Sequence, residues 1–232
     1  MKSLTDQQKG SLLAFVAVMF ITPDSLFIRL SNLDTWGLVF YRGIIPFLTV
    51  FFGMLLIYKL NFFKILFNSG VHGIIYIVTF SITNITFVVS IQNTNVANTL
   101  VMIAIAPMLS AVLGAIFLKE PPDRKTLISI IITFFAIIYI FFDSLKVGNL
   151  YGDVLGFITA FGLALGAITI RSAKTKNLVP AAVVGKLFVA SFALFFIESF
   201  VLIDRDLFIV PLMCILCCLL YTSPSPRDIS RS

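Results

Sequence analysis

GSLLAFVAVMFITPDSLFIR, Gly10 to Arg29, returns without a gap as GDVLGFITAFGLALGAITIR, Gly152 to Arg171. Gly10/Gly152, Leu13/Leu155, Phe15/Phe157, Ile28/Ile170 and Arg29/Arg171 are identical, and further on Gly43 meets Gly185. Each copy is apolar and about 20 residues long, enough to cross a hydrocarbon core of about 30 Å at about 1.5 Å per residue. Between them the chain reads as apolar spans of the same kind. Seven are expected, near 11–30, 36–58, 71–91, 96–118, 126–142, 153–171 and 180–203, with the start of an eighth from 207. The second copy comes five spans after the first. With an odd offset it enters from the opposite face, which is the build of an inverted-topology repeat with its substrate site between the halves.

Composition agrees with this fold class, an all-α polytopic membrane helix bundle. The chain is 59% hydrophobic with 25 phenylalanines, and only 12% of it is charged, against about 25% in soluble domains. The first span is too long for a signal peptide and no small-residue cleavage site follows it. Connections such as SNLDT, QNTN and KEPPDRK are short, so sequential spans are antiparallel neighbours. KLNFFKILFNSG, residues 59–70, is expected as a longer loop.

The formal charge of +6 needs no nucleic acid. Basic residues collect on one side. A cytoplasmic N-terminus puts Lys2, Lys9, Lys59, Lys64, Lys119, Arg124, Lys125, Arg171, Lys174 and Lys176 inside, and leaves Arg29, Lys146 and Arg205 outside. The positive-inside rule favours that orientation, in a cell (inner) membrane. Cys214, Cys217 and Cys218 lie in an apolar segment with no histidine nearby, so the CxxC spacing is not expected to hold a metal or a redox pair.

These features, together with NTNVANTLVMIAIAPMLSAVLGAIFLKEPP (Asn93 to Pro122), the FIRLS ending of the first span and the arginine of VFYRG, resemble the EamA-like branch of the drug/metabolite transporter superfamily. The mid-span Pro107 and the Leu118-Lys119-Glu120 turn match the family's fourth helix. The resemblance implies ten helices in two inverted five-helix repeats around a central cavity, and transport of small metabolites such as amino acids, nucleosides or drugs. It places the first repeat at 1–148 and an incomplete second one at 149–217, so about seven and a half helices are expected. Cys218 to Asp228, CLLYTSPSPRD, resembles a translated sequencing-library adapter, and 218–232 is read as an artefact that interrupts a longer protein.

An ionisable side chain inside a span is a functional candidate by default. Asp24 and Arg42 each lie six residues from the SNLDT turn, about 9 Å deep, and are expected to face one cavity and to pair. The alternative is a purely structural ion pair or a snorkelling arginine. Lys186 is the corresponding cation of the seventh span, two places beyond the repeat equivalent of Arg42, whereas Asp24 aligns with Gly166. Glu198 either lines the cavity or snorkels.

Tyr76, Thr79, Thr83, Thr86, Ser90 and Asn93 follow one another at spacings of three and four, which places them on one helix face. That stripe either lines the cavity or packs helices together. Asn84 and Asn98 are further hydrogen-bonding candidates. Met102, Ala106, Ser110 and Gly114 read as a packing edge, Pro107 as a bend, and His72 as an ordinary interfacial residue.

No catalytic residue, metal site or cofactor is expected, since no Walker loop, HExxH or GxSxG is present. The expected function is secondary transport of a small organic metabolite, tending to anionic because of Arg42 and Lys186, by alternating access. An integral-membrane enzyme and a non-transporting scaffold are the alternatives. The expected partners are the small-molecule substrate and the lipid bilayer; a coupling proton or ion and a homodimer stay open. Reading the locus through to its stop codon should replace 218–232 with further apolar spans, and the same tail followed by a stop would refute the artefact reading.

Overall fold

A computed structural model describes residues 23–58, 61–119, 150–173, 176–197 and 205–222, with scattered helical positions between 124 and 139. Gly10 to Ile21, most of the span expected at 126–142, Glu198 and the tail after Thr222 lie outside the described residues. Among the described residues every regular element is a helix.

Helix α1 is described over residues 23–30, and α2 is Thr35–Tyr58. Asp34 opens α2, its Oδ2 accepting from the backbone N–H of Trp36 (3.1 Å) and Gly37 (3.0 Å). That satisfies donors the first turn cannot use internally. Helix α3, Asn61–Asn93, corrects the sequence reading, because the expected loop is helical from Asn61 to Ser69. At 33 residues α3 would be about 50 Å long if straight, well beyond a bilayer core. It is broken at Gly70 (φ 56°, ψ −140°), a conformation open mainly to glycine. What holds the extra piece is Phe62, 2% exposed, packed with Met54 and Val183 and set edge-on to the Phe51 ring at 5.3 Å.

The fourth span is also interrupted. Helix α4 is Val96–Ile103, α5 is Ala106–Leu113, and a π-helical turn, Gly114–Leu118, follows. Pro107 has no N–H to offer the carbonyl four residues back, and the break falls just before it, at Ala104 and Ile105. Helix α6 is Leu150–Ser172 and α7 is Val179–Ala193, shorter than the expected 180–203 because the chain turns at residues 194–196. Helix α8 is Asp206–Thr222.

Helix α3 sits at the centre. It packs most extensively on α6, and also on α7 and α2, while α2 lies along α7 and α8 and both α4 and α5 lie on α6. A buried cluster including Ile28, Leu38, Val88, Val189 and Met213 ties α1, α2, α3, α7 and α8 together. The outward faces are apolar instead of polar: Phe52, Leu56, Val78, Phe117 and Phe208 are all more than half exposed. Among the described residues four helices are long and apolar enough to cross a membrane, and these faces meet lipid. The protein is an all-α membrane bundle.

The backbones of α2 and α7 approach closely at Gly43. A Cβ added to Gly43 would lie 2.7 Å from the Ala190 nitrogen and 2.9 Å from the Lys186 carbonyl oxygen, whereas one added to Gly53 meets nothing within 4 Å. Gly43→Ala should therefore cost about 1–3 kcal/mol through overpacking. Gly53→Ala should be neutral or slightly stabilising. Thermal unfolding of the purified variants in detergent measures both.

Candidate functional site

Helix α3 offers its neighbours two different faces. The stripe read from the sequence turns to α6. Thr86 Oγ1 is 2.8 Å from Thr159 Oγ1, and Ser90 Oγ donates to the Gly152 carbonyl at 2.7 Å while lying 2.9 Å from Thr99 Oγ1. A Cβ on Gly162 would fall 2.2 Å from Thr83 Oγ1, so α6 approaches the stripe where it has no side chain. Thr79, Thr83 and Thr86 also return their hydroxyls to carbonyls one turn back, at Ile75, Thr79 and Ile82. In this conformation Thr79, Thr83 and Thr86 belong to a helix contact, the packing alternative of the sequence reading.

The second face carries Phe80, Asn84 and Phe87, spaced four and three. Here the two intramembrane cations arrive from different helices. Arg42, from α2, places Nη1 2.5 Å from Asp24 Oδ1 of α1, and its guanidinium lies 5.4 Å from the centre of the Phe87 ring. Lys186, from α7, donates to Asn84 Oδ1 at 2.6 Å, and its Nζ lies 5.4 Å from the Phe80 ring centre. Asp24, Arg42 and Lys186 are 7%, 6% and 3% exposed, so a charge-bearing group at each position depends on protein instead of water for its partner. Asn84 is held for this task, since its Nδ2 donates to the Phe80 carbonyl at 2.8 Å and leaves Oδ1 for the ammonium. Phe80 and Phe87 stand two turns apart, about 10 Å along α3, which sets the separation of the two cation stations.

Tyr76 joins this second cluster from the edge of the stripe. Its ring stacks on Phe80 at 5.7 Å and lies beside Gly166, the repeat counterpart of Asp24. Asn98 is half-buried on α4, and Pro107 sits in the first turn of α5, at the break. The sequence reading missed Phe80, Phe87, Ser81 and Thr159. Ser81 Oγ donates to the Gly185 carbonyl at 3.0 Å and fastens α7 beside Lys186. The one available signal was the spacing of Phe80, Asn84 and Phe87, and phenylalanine is too common in this chain for it to stand out.

Among the described residues, one small cleft lies beside Lys186. The cleft lined by Pro46, Val50, Ala182, Val183 and Lys186 has about 10 Å³ of accessible volume, room for about one water. A larger open depression of about 490 Å³ lies at the end bearing the 31–34 turn, lined by Arg29, Gln92, Asn93, Thr94, Asn95 and Val96. Among the described residues no group of three or more His, Cys, Asp or Glu is placed to hold a metal ion.

The sequence model of the EamA-like transporter family matches residues 8–142. The chain belongs to that family. Its members are transporters of the drug/metabolite superfamily, and this EamA-like chain is accordingly a multi-pass membrane protein of transporter type. The match covers Asp24, Arg42, Asn84 and Pro107, whereas Lys186 reaches the cluster from beyond it. Searches of curated proteins and of solved structures found no match.

The ion pair can be tested apart from transport. Asp24→Asn leaves a buried guanidinium without its counter-charge and should cost about 3–5 kcal/mol. The double variant Asp24→Asn/Arg42→Met should recover most of that loss. A double-mutant cycle read by thermal unfolding in detergent measures the coupling, and additive effects would mean that the pair is energetically idle.

Proposed function

We propose that the protein is a secondary transporter of a small organic metabolite, such as an amino acid or nucleoside, bearing a carboxylate or other anionic group. The observation that carries this reading is the pair of buried cations, Arg42 and Lys186, brought from α2 and α7 onto one face of α3. An anion entering between them would take the place of Asp24 or Asn84 as partner, and the Phe80 and Phe87 rings would flank its apolar part. Charge-assisted hydrogen bonds formed away from water are strong enough to select the substrate.

Transport would proceed by alternating access. Residues 1–148 form one repeat in this reading and 149–217 belong to the other, with α2 and α7 as corresponding second helices. Their contact at Gly43 is the seam along which the halves would rock. The basic residues support a cytoplasmic N-terminus in the cell membrane, with the 31–34 turn outside.

Uptake into proteoliposomes of the purified protein, with a panel of metabolites of either charge, tests the proposal. Anionic compounds should be favoured, and Lys186→Met should lower their uptake by about tenfold to a hundredfold, the worth of one charge-assisted hydrogen bond of about 1.5–3 kcal/mol. Equal uptake of cationic and anionic compounds would overturn the anion preference. Absence of flux for the whole panel would favour a non-transporting role.

A further inference from the structure

The piece of α3 before Gly70 has no part in the cation cluster, and its geometry needs its own explanation. The 22 residues of Thr35–Leu56 already fill a bilayer core of about 30 Å, and so do the residues of α3 that follow Gly70. Residues 61–69 therefore lie past the hydrocarbon, at the end where α2 finishes. The positive φ of Gly70 turns them away from the axis of the span. They cannot drift off, because Phe62 is buried against Met54 and Val183 and the Lys176 ammonium sits 3.4 Å from the Ser69 carbonyl oxygen.

One side of this short helix is thus fixed to the bundle. The other side is graded. Phe63 is 47% exposed and Phe67 80% exposed, one turn apart and adjoining the exposed Val71 and Ile74 of the span. Lys64 and Asn68, also exposed, stand on the next strip around the helix. An apolar strip continuous with the lipid-facing surface and bordered by a cation is the pattern of a helix lying in the plane of the membrane interface. Among the described residues the same end of the bundle also carries Lys119, Arg171 and Lys176. That excess of positive charge complements a negatively charged leaflet.

We infer that residues 61–69 form an interfacial helix that docks on the headgroup layer of an anionic leaflet, with Phe63 and Phe67 inserted at the acyl boundary and Lys64 among the lipid phosphates. The helix anchors the α2–α3 turn at a set depth.

The full chain carrying Trp36→Phe and Phe67→Trp, reconstituted into vesicles of phosphatidylcholine with or without phosphatidylglycerol, tests this. Phospholipids brominated near the headgroup should quench the new tryptophan more than those brominated near the chain end. A tryptophan at Val78, about 12 Å along α3 from the break at Gly70, should show the reverse order and reports that the bundle has folded. Phosphatidylglycerol should increase quenching of the Phe67→Trp protein, and adding Lys64→Glu should remove most of that increase without altering the Val78 reporter. Three results would overturn the inference: stronger quenching of Phe67→Trp by deep bromines, quenching by aqueous iodide as strong as for a free tryptophan, or burial that depends on protein density in the vesicle and not on the lipid, which would indicate a second copy of the chain. Indifference to phosphatidylglycerol would overturn the anionic partner.

Discussion

A charge inside a bilayer must find its partner within the protein, and this rule governs how α1, α2, α3 and α7 are held. Arg42 meets Asp24 across the α1–α2 hairpin, and Lys186 meets Asn84 across the α3–α7 contact. Each cation also rests on a ring of α3. Neither interaction could form on one helix alone. Moving α3 away would take the aromatic face from both cations and the amide from Lys186 together. The hydrophobic effect offers little to hold helices together in lipid, where tails are as apolar as leucine, so polar contacts and close packing carry specificity.

Close packing is arranged with glycine. Gly43 lets α2 touch the backbone of α7 at Lys186 and Ala190, and Gly185 sits where an added Cβ would be 2.9 Å from the Phe80 ring. The two glycines stand 142 residues apart, the offset of the sequence repeat, and serve two contacts of α7 close to Lys186, one with α2 and one with α3. Ser81 completes the arrangement by bonding the Gly185 carbonyl. The position of the ammonium is thus set by backbone approach first and by its own hydrogen bond second. On the other side of α3 the same device recurs, with Gly152, Gly156 and Gly162 of α6 admitting Thr94, Ser90 and Thr83.

Much of this was legible in the sequence. Composition and span length identify the membrane bundle, and the equal depth of Asp24 and Arg42 on either side of a short turn makes a pair an expectation, which their 2.5 Å contact matches. The limits of legibility are equally specific. The spacing of Tyr76, Thr79, Thr83 and Thr86 shows that they share a face, yet periodicity cannot say whether that face meets a cavity or another helix; α6 occupies it. The stretch KLNFFKILFNSG reads as a loop because it follows a complete span, whereas its residues from Asn61 are helical, with Phe62 buried against α2 and α7.

The sequence by itself determined the class of the protein, its family and the identity of the intramembrane charges, because these follow from hydropathy, local motifs and the cost of placing a charge in lipid. The tertiary structure decided which groups those charges meet. Asn84 rather than the threonine stripe receives Lys186, and Phe80 and Phe87 rather than other rings of the chain lie beneath the two cations. The reason is that such partnerships depend on the rotation of α3 relative to α2, α6 and α7, and that rotation is set by contacts between residues far apart in the chain.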